Sequence, residues 1–224
     1  MEWPIIQDCL ICRQTSATLI CAYCHDDLTL FQPSTDKNLL LWPPAARGLS
    51  KVDFDYLYAL ADYQWPLSHL LSSLKFSAKL PHAKALAQLF VSVNIEQHIP
   101  RPEVLIPMPL HPNRFLARKF NQSLEICKHI SAMSNIPANY STLRRRKATS
   151  PQTELSAAQR RQNLLHAFEV PPAEVNKLNT YRHVALFDDV VTTGATANAA
   201  YRCLQQAAPD LRIDIWTICL TLQH

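Results

Sequence analysis

The chain has 224 residues, a net charge of +4 and 48% hydrophobic residues. That suffices for one full α/β domain, burying roughly 70 to 75% of its unfolded surface, with a small appendage. No run of about 18 uncharged apolar residues occurs, and Met1-Glu2-Trp3-Pro4 lacks the basic start and apolar core of a signal peptide, so no spanning helix and a cytoplasmic protein are expected.

The first 30 residues hold four of the seven cysteines, spaced as Cys9-x2-Cys12 and Cys21-x2-Cys24. A C-x2-C pair lets two thiolates of one tight turn hold the same ion, and two such turns close a tetrahedral site. Four thiolates suit zinc, which brings no redox chemistry; the alternative, disulfide pairing, needs an oxidising compartment. The spacing predicts one structural zinc on Cys9, Cys12, Cys21 and Cys24, folding a module over residues 1–30 that is too short for its own core. His25 neighbours Cys24, but a complete four-thiolate set leaves it no vacancy. Cys127, Cys203 and Cys219 stand in apolar runs and read as small core residues. Residues 31–54, with Pro33, Pro43, Pro44 and Gly48, read as a connector, and residues 55–224 as the main domain.

Residues 55–63 alternate as a strand does, and Pro66 followed by Leu67, Leu70, Leu71 and Leu74 predicts a helix with proline near its first turn. A second helix is predicted from about residue 81 to 96, a short buried strand over 104–109 and a helix over 121–134. Further on come a buried strand over 183–187, a helix over 195–207 and a last strand around 213–220. Strands alternating with helices imply a doubly wound parallel α/β sheet, whose ligands bind beyond the carboxyl ends of the strands. The loops after Met108 and Phe187 open on that edge, so Arg114, Arg118 and Lys119 can meet one end of a ligand held at Gly194. Between Thr142 and Asn163, Arg144, Arg145, Arg146, Lys147, Arg160 and Arg161 face one acid, Glu154. The window reads either as a solvated charged loop or as an anion-binding loop for diphosphate or nucleic acid.

The most informative stretch is Leu186-Phe187-Asp188-Asp189-Val190-Val191-Thr192-Thr193-Gly194-Ala195-Thr196. Gly194 is one of only two glycines, and it stands between a strand-like and a helix-like run, where a backbone must approach something closely. Amides at a helix start lack partners and carry partial positive charge, so Thr192, Thr193, Gly194, Ala195 and Thr196 can encircle a phosphate. Asp188 and Asp189 would repel bare phosphate and are better suited to sugar hydroxyls or a hydrated divalent cation. A ligand-free alternative is an ordinary strand, an Asp-Asp turn and a threonine cap. The stretch resembles the phosphoribosyl diphosphate (PRPP) motif of type I phosphoribosyltransferases. The resemblance implies ribose hydroxyls on Asp188 and Asp189 and the 5'-phosphate on Thr192 to Thr196.

A second resemblance is wider. Ile106-Pro107-Met108-Pro109-Leu110-His111-Pro112-Asn113-Arg114, then Arg118-Lys119-Phe120-Asn121-Gln122, with Gln152, Leu155 and Arg160-Arg161-x-Asn163, are similar to the signature of the ComF family. It runs from Cys9 to about Leu220 and implies a four-cysteine zinc finger joined to a type I phosphoribosyltransferase domain. It further implies a diphosphate loop over residues 110–120, with Arg114, Arg118 and Lys119, and a mobile loop over 142–163. The implied ligand is PRPP with Mg²⁺, and the implied role is natural competence, handling incoming single-stranded DNA beside other DNA-uptake proteins. The alternatives are a metabolic transferase moving ribose 5-phosphate to an unidentified acceptor, and a regulatory binder of PRPP. Lys119 stands where the family has glycine, and Ser77 or Ala78 and His166 where glycine is common. A positive backbone φ at Lys119 would be costly. Hypoxanthine-type transferases carry an acid at the position of Thr192, and threonine cannot serve as that base at neutral pH.

Overall fold

The computed structural model describes residues 6–31, 37–96, 99–145 and 167–223. At the N-terminus, β1 (Gln7–Asp8) pairs antiparallel with β2 (Thr15–Ser16), and a short helix, Ala22–Asp26, follows. The main sheet contains β3 (Leu57–Asp62) and β4 (Val104–Pro107), whose residues are apolar on both faces, as strands covered from both sides require. After the antiparallel pair β5 (Arg144–Arg145) and β6 (Phe168–Glu169) come β7 (His183–Val191) and β8 (Arg212–Leu220). The main sheet runs β3-β8-β7-β4, all parallel. Beyond β4, Leu105 N–H donates to Pro137 O and Asn139 N–H to Leu105 O, both at 2.8 Å, adding a parallel position around Ala138.

Alternation along the strands sorts their side chains onto two cores. Ala185 and Phe187 face one with Trp216; Val184 and Leu186 face the other with Ile215. The first core is covered by the helices Leu67–Ser77, Pro81–Phe90 and Gln122–Ser134, and Phe90 meets the rings of Phe187 at 5.7 Å and Trp216 at 5.3 Å. Leu10, Ile11, Leu19 and Ile20 of the N-terminal module also pack here. The second core is covered by the helices Pro172–Leu178 and Ala195–Ala207. Leu39, Ala45 and Phe54, from the segment that reads as a connector, are buried within it. Among the described residues no helix is long and apolar enough to cross a membrane.

Three local differences from the sequence reading have physical causes. Strand β7 does not stop at Phe187 but continues through Asp188 and Asp189 to Val191, because its pairing with β8 continues to Leu220. Residues 112–118 form a helix inside the expected diphosphate loop, with Pro112 at its start and His111 Nδ1 accepting the Asn113 amide at 3.2 Å. The helix from Pro81 widens at its end into a π-type turn over Val91–Ile95, closed by Glu96 N–H donating to Val91 O.

Two positions at which the ComF resemblance expects glycine keep the glycine conformation without the glycine. Ala78 (φ 50°) ends the helix Leu67–Ser77, and Lys119 (φ 62°) ends Pro112–Arg118, both as left-handed C-caps. The backbone geometry doubted for Lys119 is adopted, at the steric cost of a β-carbon in that region. Ala78→Gly and Lys119→Gly are each expected to stabilise the protein by about 1 kcal/mol, raising Tm by ~2 to 4 °C. Thermal and urea unfolding measure this, and unchanged or lower stability would contradict the strain.

Candidate functional site

From β4 the chain turns outward to the edge at Ala138, whereas from β7 it continues inward to β8. The carboxyl ends of β4 and β7 therefore mark a topological switch point, where loops diverge and leave a crevice. A cleft of about 460 Å³ opens there. Asp188, Asp189, Thr192, Thr193, Gly194, Ala195 and Thr196 all line it, as do Arg114 and Arg118. Lys119 is exposed and outside the lining. Of the basic window, Arg145 lines the cleft and Arg144 faces solvent, since neighbours on a strand point opposite ways. Arg146, Lys147, Arg160, Arg161 and His166 lie outside the described residues.

The acid pair is held from the helix Gln122–Ser134. Asn121 caps that helix, its Oδ1 accepting the Ser123 amide at 3.1 Å, while its Nδ2 donates to Met108 O at 2.9 Å. This ties the exit of β4 to the helix start and aims the next two side chains at β7. Gln122 Nε2 donates to Asp189 Oδ1 and Ser123 Oγ to Asp188 Oδ1, both at 3.1 Å. Lys75, on Leu67–Ser77, forms an ion pair with Asp189 Oδ2. Arg118 Nη1 donates to Gln122 Oε1 at 3.1 Å and its guanidinium lies over the Phe76 ring. Burial, and then the charge of Asp189, push the Asp188 carboxyl up to about 7.

Sequence reasoning gave Lys75, Ser123 and Tyr63 no role, although all three line the cleft. Lys75 stands in an apolar run 114 positions from Asp189, and no local pattern pairs them. Gln122 ends the Arg118–Gln122 motif, and no local pattern assigns it a partner.

The opposite wall is cationic. Burial, then the charge of Arg114, lower the pKa of Arg145, which stacks on Phe168 at 5.3 Å. Burial, then Arg145 and Arg114, also hold His111 below its usual value. Clustered cations on the lining of a cleft create a potential suited to an anion.

The loop between the walls is a bare helix start. Gly194 (φ 76°) precedes the 13-residue helix Ala195–Ala207, whose start has no side-chain cap. Thr193, Gly194, Ala195 and Thr196 line the cleft at this helix start, where the Ala195 amide makes a long, 3.5 Å hydrogen bond to Thr193 Oγ1, an arrangement suited to phosphate recognition. The close approach expected at Gly194 is made by the protein itself: a β-carbon there would lie 3.0 Å from Val52 Cγ1 and 3.2 Å from Leu49 Cδ2.

At the N-terminus, the sulfurs of Cys9, Cys12, Cys21 and Cys24 lie within 4.8 Å of one another. A tetrahedral ion with bonds of ~2.3 Å holds its sulfurs about 3.8 Å apart, and the Cys12 and Cys21 sulfurs are 3.8 Å apart. Burial would raise the Cys9 thiol, but the amides of Cys21, Cys12 and Ile11 outweigh it and bring it down to about 6. Cys24 is pushed up to about 12 by burial, by its sulfur neighbours and by the charge of Cys9. The set fits a divalent cation, whose charge would let all four sulfurs be thiolates. Cys127 and Cys219 are buried core thiols, and Cys203 packs half-buried on the second core.

Folded in this way, the chain is a doubly wound α/β protein with a parallel four-stranded sheet and an N-terminal four-cysteine module. No protein-family profile matches it. It is 33% identical over 228 aligned residues to the DNA utilization protein YhgH of Escherichia coli O157:H7, covering 99% of this chain and 92% of that one. It is 30% identical over 208 residues to competence protein F of Haemophilus influenzae, covering 91% and 86%. The chain belongs to the ComF family of these proteins. Among solved structures it aligns with a glutamine PRPP amidotransferase from B. subtilis complexed with ADP and GMP, at 18% identity and a TM-score of 0.36, over 59% of this chain and only 24% of that one. It aligns with a glutamic acid mutant of an HPRT at 15% identity and a TM-score of 0.31, over 60% and 63%. Both scores are below 0.5, and no functional reading rests on them.

Two outcomes are expected. A carboxyl with a raised folded pKa binds more protons folded than unfolded, so its contribution to stability is lost as pH rises from about 4 to about 7. Asp188→Asn should therefore exceed wild type in Tm at pH 8 by on the order of 5 °C, with the difference vanishing near pH 4; equal melting at pH 8 would contradict this. Protein purified under reducing conditions should carry one zinc per chain, and Cys12→Ser should lose both the metal and several degrees of Tm. Substoichiometric zinc by elemental analysis would rule the site out.

Proposed function

We propose that the cleft binds PRPP with Mg²⁺ and that the protein uses this site in DNA utilization during natural competence, handling single-stranded DNA beside other DNA-uptake proteins. One observation carries the reading: a carboxylate pair, an uncapped helix start and three arginines line one cleft. Ribose hydroxyls donate to carboxylate oxygens, which accept, so they suit Asp188 and Asp189. The 5'-phosphate suits the amides of Thr193 to Thr196, with the Thr192, Thr193 and Thr196 hydroxyls beside them. The diphosphate suits Arg114, Arg118 and Arg145, with Lys119 at the rim. Bound with PRPP, Mg²⁺ would neutralise diphosphate charge near Asp188 and Asp189. A structural zinc suits Cys9, Cys12, Cys21 and Cys24, and four thiolates suit the reducing cytoplasm.

Binding is the conclusion, because Thr192 offers no base and no other group in the lining identifies an acceptor. The DNA role draws on the relatives named DNA utilization protein and competence protein F. Arg144, exposed beside Arg145, supports a phosphate-backbone contact leading toward the cleft.

Calorimetry tests both parts. Wild type should bind PRPP with Mg²⁺ at a Kd on the order of 10 μM, tightening from pH 6 to pH 8 as Asp188 ionises, and Asp188→Asn with Asp189→Asn should weaken it at least ~10-fold. Binding that survives the double change overturns the site. In a parallel titration with a single-stranded oligonucleotide, neutralising Arg144, Arg145 and Arg146 should weaken affinity and flatten its salt dependence; an unchanged salt slope removes the DNA reading.

A further inference from the structure

Each of the two glycines of the chain marks a close contact of the same segment. Gly48 ends the helix Pro43–Gly48, and a β-carbon there would lie 3.1 Å from Thr221 O, just past β8. Gly194 meets Leu49 and Val52. Between these two points residues 48–54 run across the back of the loop whose front faces the cleft. Ser50 N–H donates to Thr193 O at 2.9 Å, fastening the loop directly.

The same segment grips the helix that follows. Asp53 N–H donates to Asn198 Oδ1 at 2.7 Å, and Asn198 Nδ2 donates back to Asp53 Oδ2 at 3.0 Å. Arg202, one turn further on, pairs with the same Asp53 oxygen, and Phe54 meets the Tyr201 ring edge-on at 6.2 Å. Asn198 is 7% exposed. Asparagine is a poor residue for a helix interior because its amide competes for backbone groups, yet here that amide bonds another segment. Asn198, Asp53 and Arg202 are absent from the cleft lining, so none of them would touch a ligand there.

An amide cradle is worth most when its donors already converge, and a misplacement of about 1 Å forfeits much of the gain. A loop pivoting on a left-handed glycine has freedom that must be removed from outside. We propose that the Asp53–Asn198–Arg202 clamp, with Ser50, is the positioning device that sets the amides of residues 193–196 for a sugar 5'-phosphate. This rests on the PRPP reading of the cleft. The chain leading from the cysteine module into β3 thus shapes the ligand loop without entering the site.

A charge swap tests it, with ribose 5-phosphate as probe and inorganic diphosphate as control for the opposite wall. Asn198→Asp sets a carboxylate against Asp53 and should weaken ribose 5-phosphate at least ~10-fold. Asn198→Ala, which adds no charge, should show the same selective loss. Combining Asn198→Asp with Asp53→Asn keeps the backbone N–H of residue 53 donating to the side-chain oxygen at 198, reverses the side-chain hydrogen bond, and leaves Arg202 an acid four residues away on its own helix, so affinity should return to within ~3-fold of wild type. A role in stability alone would lower Tm and leave the remaining folded protein binding both ligands normally. Normal ribose 5-phosphate binding by both single variants, or no recovery in the swap, overturns the clamp. Failure of wild type itself to bind ribose 5-phosphate or PRPP instead overturns the reading beneath it.

Discussion

Asp188 and Asp189 continue strand β7 past its apolar run, and two adjacent carboxylates on a central strand cost folding free energy unless partners or a ligand offset it. Asp189 has Lys75 and Gln122; Asp188 has Ser123 and the amide of Asp189 itself. One ammonium does not balance two acids, and burial first, then the charge of Asp189, leave Asp188 holding its proton near neutrality. The surroundings follow from this pair. The helix Gln122–Ser134 must start where its first two side chains reach β7, and Asn121 fixes that start by bonding both the helix amides and the exit of β4.

Charges of both signs meet in the cleft. The acids and their one lysine, the arginines Arg114, Arg118 and Arg145, and an uncapped helix start all line it, with Arg118 bonded to the glutamine that holds Asp189. A ligand with hydroxyls at its centre and anionic groups at both ends complements all three regions. Arg145, whose charge is disfavoured by burial and then by Arg114, gains most from such a ligand.

What the amino-acid sequence reveals here is what depends on near neighbours. The cysteine pairs, the apolar strands and the run from Leu186 to Thr196 are each complete within a dozen or so residues. Lys75 and Ser123 acquire meaning only when folding brings distant helices against β7. The split between Arg144 and Arg145 needed the pairing of β5 with β6, which decides which side chain turns inward. Gly194 was legible as a site of close approach, but its neighbours, Leu49 and Val52, come from a proline-containing segment with no strong periodicity. At Ala78 and Lys119 the left-handed helix ends persist although the residue best suited to them does not, so backbone geometry outlasts the residue type from which it is usually inferred.

The central claim is that the loop after β7 is a sugar-phosphate cradle. Amide chemical shifts followed by NMR during titration with PRPP and Mg²⁺ test it most directly. The account predicts the largest and saturable shifts at Thr193, Gly194, Ala195 and Thr196, with smaller ones at Ser123 and Gln122. Binding that leaves these amides unmoved while shifting residues elsewhere would contradict it.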